Sequence, residues 1–134
     1  MTTKLRAVRT TKAVTGVIAQ QLQIGPHTLI GDAAKDVGGD DLGPDPHELL
    51  DAALASCTAL TLNLYARRKG MRLANVEVEV DHVESDGLYR IRRDIRLTGE
   101  LTEDERTRLL EIANKCPVHR TLSGRFDIDT KLVH

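Results

Sequence analysis

The sequence predicts an α+β fold of mainly antiparallel sheet packed around one long buried helix, and three observations carry that prediction. Strand-like segments rich in Thr, Val and Gln open the chain. A capped helix in the middle is apolar or small on nearly every side. The two segments after it alternate in polarity and are joined by a hairpin signal, which pairs neighbours antiparallel.

Lys4–Thr11 and Val14–Gln23 read as strands, and Gly25-Pro26 separates the second from a third, His27–Gly31. Asp32–Pro44 holds Gly38-Gly39, Asp40-Asp41 and Gly43-Pro44, and reads as a loop that lies over a surface or moves. Asp45-Pro46-His47-Glu48 then supplies an N-cap, proline at N1 and glutamate at N3. The helix so opened runs to about Lys69, where Arg67, Arg68 and Lys69 suit the negative end and Gly70 stops it. Ala53, Cys57, Leu60 and Leu64 share one face, with Leu50, Leu54 and Thr61 on the next. A helix of that character is buried on most sides.

Val76–Asp81 alternates as a strand with one wet face. Asp86-Gly87 is a hairpin turn, and Leu88–Thr98 is its returning strand. Arg93 interrupts an otherwise apolar stripe of Tyr89, Ile91, Ile95 and Leu97; it pairs with a carboxylate or marks a pocket, or, as the commoner explanation, it is a sheet-edge arginine reaching water. Thr102-Glu103-Asp104-Glu105 opens a second capped helix, which Cys116-Pro117 ends or kinks. Val118–Ser123 reads as a short helical turn with Gly124 as its C-cap, and Phe126, Ile128 and Thr130 alternate as a last strand.

The 134 residues suit a single domain spanning 1–134. Nineteen basic and 20 acidic residues are mixed along the chain, so the basic stripe of a nucleic-acid binder is missing. Phe126, Tyr65 and Tyr89 are the only aromatic residues, too few for base stacking. Met1–Thr15 carries no apolar leader, and the apolar-rich stretch Leu49–Leu64 is short for a membrane span. These features predict a soluble cytoplasmic protein without nucleic-acid or membrane partners. The central helix has more apolar surface than one small sheet covers, which predicts a homodimer with a shared core.

Two cysteines in a reducing compartment are either inert core thiols or a redox pair. Cys57 lies about three turns into the helix, far from its positive end, so a reactive thiolate there needs a nearby cation or hydrogen-bond donor. Cys116 precedes Pro117, with His119 and Arg120 close behind. Cys116 and His119 in Cys-x-x-His spacing lack two further ligands for zinc.

Gly43-Pro44-Asp45-Pro46-His47-Glu48-Leu49-Leu50, followed by Ala52–Leu62 around Ser56-Cys57-Thr58, resembles the central helix of the OsmC/Ohr family. Cys116-Pro117-Val118-His119-Arg120-Thr121-Leu122 resembles the same family's second cysteine motif. The order of elements matches too, so the resemblance spans nearly the whole chain and lies nearest the OsmC-like branch, where a Pro-x-Glu-Leu-Leu helix start is typical.

The resemblance implies an intertwined homodimer and a two-cysteine thiol peroxidase that reduces organic hydroperoxides to alcohols. Cys57 becomes a sulfenic acid, Cys116 condenses with it to a disulfide, and an external thiol or dithiol resets the pair. No metal or organic cofactor is implied. Glu48 is the carboxylate of the implied catalytic set, beside its capping role. Well-studied members place glutamate directly after the helix-start proline; here His47 stands there, with Glu48 next. Their activating arginine comes from the N-terminal sheet, where this chain offers Arg6 and Arg9. A non-catalytic thiol switch or small-ligand-binding dimer on the same scaffold is the alternative, and a hot-dog thioesterase is the second fold. A pocket of Leu, Val and Ala favours organic peroxides over hydrogen peroxide.

Overall fold

The computed structural model describes residues 6–133, which divide into one compact unit up to Leu50 and a second from Asp51. In the first unit, β1 (Val8–Lys12), β2 (Gln20–Ile24) and β3 (His27–Gly31) form an antiparallel meander in the order β1-β2-β3. Lys4 and Leu5 of the expected first strand lie outside the described residues. The expected second strand begins six residues late. Val14–Ala19 instead forms a loop closed by the Ala13 amide donating to the Ala19 carbonyl at 2.8 Å, with Gly16 at φ +89° turning the chain out of the ladder.

The loop after β3 is more ordered than its composition predicts. It contains a 3₁₀ turn at Lys35–Val37 and folds around the buried Asp32 carboxylate. That carboxylate accepts from the amides of Ala33 at 2.8 Å, Leu42 at 3.1 Å and Asp40 at 3.3 Å. These bonds, Leu42's foremost, hold the Asp32 carboxyl below its ordinary range.

Helix α1 (Pro46–Lys69) starts on the expected capping box. The Glu48 amide donates to Asp45 Oδ1 and the Asp45 amide to Glu48 Oε1, each at 2.9 Å. At the other end Gly70 takes φ +69°, its amide donates to Arg67 and that of Met71 to Ala66, which is a Schellman stop. By length and composition alone α1 is apolar enough to cross a membrane, although the Leu49–Leu64 stretch reads as short. Its buried stripe carries Asp51 and Thr58, both hydrogen-bonded.

The second unit continues with β4 (Arg72–Ser85) and β5 (Leu88–Glu100), a long antiparallel hairpin turned by Asp86 and Gly87 at φ +52° and +76°. Positive φ at both central residues matches the strand twist, hence the Asp-Gly pair. Helix α2 (Glu103–Ala113) opens with the Thr102–Glu105 capping box, and α3 (Pro117–Leu122) begins at Cys116. Its C-cap is Ser123, one residue before the expected Gly124. Leu62 and Ala66 pack with Leu109, Ile112 and Ala113, and Val76, Ile95 and Leu97 of the hairpin close over them.

Two expectations fail here. The buried stripe of α1 is Asp51, Leu54, Thr58, Leu62 and Ala66, whereas Leu60 and Leu64 are 62% and 52% exposed. On a helix apolar all round, periodicity cannot select the face; the partners waiting for Asp51 and Thr58 do. The last strand is also missing. Phe126–Thr130 is exposed and unpaired with any sheet of the described residues, because alternation supplies a face but not a neighbouring ladder.

Leu109 is fully buried and Leu110 is 58% exposed. Leu109→Ala is expected to lose about 3 kcal/mol of unfolding free energy in urea titrations and Leu110→Ala under about 0.5 kcal/mol.

Candidate active site at the two cysteines

Cys57 and Cys116 are both free thiols, the first half-buried and the second buried. They meet at the start of α3. Cys116 is the N-cap of that helix, and its Sγ accepts from the His119 amide at 3.4 Å. Pro117 at N1 fits because that position has no amide partner to lose. The next amide back, Val118, donates to Cys57 Sγ at 3.5 Å. Two consecutive backbone donors thus bring both sulfurs to the first turn of α3. Cys57 thus receives a backbone donor from another helix, beside the Thr61 hydroxyl of its own at 3.9 Å.

A cation completes the group. Arg93 is half-buried on β5 and does not reach for water. Its Nη1 donates to Thr58 Oγ1 at 2.9 Å, and its Nη2 donates to Asn114 Oδ1 at 3.0 Å and to His119 Nδ1 at 3.1 Å. All three acceptors are neutral, and among the described residues Arg93 makes no ion pair. Thr58 Oγ1 lies 3.9 Å from Cys116 Sγ, one hydroxyl away from the guanidinium. The guanidinium thus reaches the Cys116 sulfur through the Thr58 hydroxyl.

A guanidinium only donates, so the His119 Nδ1 that receives it carries no proton, and the neutral ring bears its hydrogen on Nε2. Burial first, and the Arg93 charge second, hold His119 below the usual histidine range. Arg93 and His119, with Leu54, Tyr89, Ile91, Leu122 and Ser123, line a cleft of about 330 Å³. Leu54, Ile91 and Leu122 form its apolar part and Tyr89, His119 and Ser123 its polar part, with Arg93 as the one cation among them. Behind Tyr89, the Asp51 carboxylate accepts from the Tyr89 hydroxyl at 2.9 Å and pairs with His82 Nδ1, while the two rings stack at 4.6 Å.

Of the residues expected at the site, Cys57, Cys116 and the His119 backbone come together. The Arg120 side chain is exposed and touches neither sulfur. Glu48 is exposed and occupied in its capping box, and the side chain of Arg6 lies across Gly25 of its own sheet. Reading the sequence ranks the pocket role of Arg93 second and misses Thr58, Asn114 and the Asp51–His82–Tyr89 group. The signal was present: a charge inside an apolar alternation, and an aspartate and a threonine seven residues apart on one helix face.

Residues 38–131 match the family model described as OsmC-like protein. The chain belongs to that family. An uncharacterized protein of Haloferax volcanii is 29% identical over 115 residues, covering 83% of each chain. The crystal structure of an OsmC-like protein from Mycoplasma pneumoniae superposes with a TM-score of 0.74 at 21% identity, over 98% of this chain and 99% of that one. An organic hydroperoxide resistance protein OsmC from Legionella pneumophila gives 0.68 at 16% identity, over 92% and 93%. The fold is therefore the OsmC/Ohr fold, an α+β arrangement of antiparallel sheets and a central helix, as the sequence predicts.

Because His119 is held neutral when folded, the unfolded chain binds a proton that the native one does not. Its contribution is complete above the ordinary histidine value of 6.5 and is lost as pH falls below it. Urea midpoints measured through that range are expected to drop on acidification, and to drop less in His119→Gln. An equal drop in both would assign the loss to other groups.

Proposed function

We propose that this OsmC-like protein is a two-cysteine thiol peroxidase acting on organic hydroperoxides. The observation that carries the reading is the pair of sulfurs on consecutive amides, Val118 for Cys57 and His119 for Cys116. Cys57 is the more exposed and is the attacking sulfur. As a thiolate it takes the distal oxygen of ROOH; the O–O bond breaks, and the departing alkoxide takes up a proton to leave as alcohol. Buried Cys116 then displaces hydroxide from the Cys57 sulfenic acid, giving a disulfide and water. An external thiol or dithiol reduces the disulfide by exchange.

Arg93 supplies the positive charge from β5, in the role that the family gives to an arginine of the N-terminal sheet. The apolar walls of Leu54, Ile91 and Leu122 favour an organic tail over hydrogen peroxide. The exposed Leu60 and Leu64 border a groove with Met71 and Leu73 that suits a second copy, so the working form is a homodimer in the cytoplasm.

Intact mass of the reduced protein, after brief exposure to one equivalent of tert-butyl hydroperoxide, tests the reading. Wild type is expected to lose two hydrogens rapidly, and Cys116→Ser to yield a sulfenic acid at Cys57 that dimedone traps. Slow, equal oxidation of both sulfurs would instead identify a non-catalytic thiol switch.

A further inference from the structure

We propose that Thr58 is the positioning residue of the disulfide-closing step, its hydroxyl carrying the influence of Arg93 to the sulfur of Cys116. The inference rests on the two-cysteine reading and assigns a residue to its second half. A threonine within a helix commonly bonds the carbonyl four residues back, and Thr58 does so, to Leu54 at 2.7 Å. That habit accounts neither for the Arg93 bond at 2.9 Å nor for the sulfur at 3.9 Å.

Counting hydrogens assigns the roles. A hydroxyl has one hydrogen and two lone pairs. In this arrangement the hydrogen goes to the Leu54 carbonyl and one lone pair receives Arg93 Nη1–H. The remaining lone pair faces Cys116, whose S–H is then the donor of that contact. Cys116 Sγ also accepts from the His119 amide, so the resting residue is a thiol used in both directions. When the thiol loses its proton, the Thr58 hydroxyl turns its hydrogen from Leu54 to the sulfur. The Leu54 carbonyl keeps its helical bond to the Thr58 amide, and the guanidinium on the other side of the oxygen strengthens the new donor.

The chemistry balances with no further reactant. The Cys116 thiolate attacks Cys57 Sγ of the sulfenic acid, the S–S bond forms, the S–O bond breaks, and the leaving hydroxide takes the proton Cys116 shed. Cys57 has a different set of contacts, the Val118 amide and Thr61 Oγ1 at 3.9 Å. Thr58 therefore acts on closing and leaves the first oxidation alone.

The test needs no peroxide. The aromatic disulfide DTNB reacts with the more exposed Cys57 and releases one nitrothiophenolate; attack by Cys116 on the mixed disulfide releases a second. Thr58→Val is expected to slow the second release at least about tenfold, in line with about 1.5–3 kcal/mol for a hydrogen bond to a charged group. It is also expected to move the pH profile of that release toward alkali, with the first release unchanged. Thr58→Ser restores the wild-type profile. Arg93→Gln, which keeps the hydroxyl and serves if the valine variant does not fold, is expected to slow the second release as well. A second release at the wild-type rate in Thr58→Val and Arg93→Gln overturns the proposal, as does equal slowing of both releases in Thr58→Val or no rescue by serine. If the wild type reduces no hydroperoxide yet shows this dependence on Thr58, the peroxidase reading fails and the role of Thr58 stands.

Discussion

The fork of Arg93 is the constraint on which the second unit turns. One side chain on β5 reaches Thr58 in α1, Asn114 at the end of α2 and His119 in α3. Burying part of a guanidinium is costly unless its donors are satisfied, and its planar fork accepts partners only in fixed directions. The three helices that meet at the sulfurs are therefore registered against the sheet by polar geometry. Apolar packing of Leu62, Leu109 and Ile112 fills the interior but is far less particular about direction.

That division of labour runs along α1. Its lower half packs Leu62 and Ala66 into the apolar core, and its upper half places Asp51 and Thr58 against the site. No buried side-chain nitrogen or oxygen among the described residues lacks a hydrogen-bond partner. A network satisfied to that degree rigidifies its surroundings, because loss of one member strands another in a medium of low dielectric. The cleft beside this network combines the Leu54, Ile91 and Leu122 side chains with Tyr89, His119 and Ser123, so a ligand there meets one fixed charge.

What the sequence makes legible is what local chemistry decides. The Asp45–Glu48 and Thr102–Glu105 boxes, the stop at Gly70 and the Asp86-Gly87 turn need no knowledge of distant residues, and each stands where it was read. The two cysteines were legible as a pair through their motifs. The buried face of α1 was not, since leucines lie on every side and the choice fell to Asp51 and Thr58, whose partners are 31 to 58 residues away. For the same reason a water-reaching side chain stood ahead of a pocket residue in the reading of Arg93. Its three acceptors belong to three separate helices, and no spacing within β5 records them.

Cys116 occupies two offices at once, since its sulfur both caps α3 and stands beside the other thiol. Losing a capping group costs a helix about 1 kcal/mol. Whatever changes the electron count at that sulfur thus also changes the stability of the first turn of α3, and by thermodynamic reciprocity whatever holds that turn in place alters the redox midpoint of the sulfur. In the disulfide cycle proposed above, the backbone of Pro117–Leu122 is in this sense an electrochemical component, and a side chain packed on it tunes a potential without approaching either cysteine.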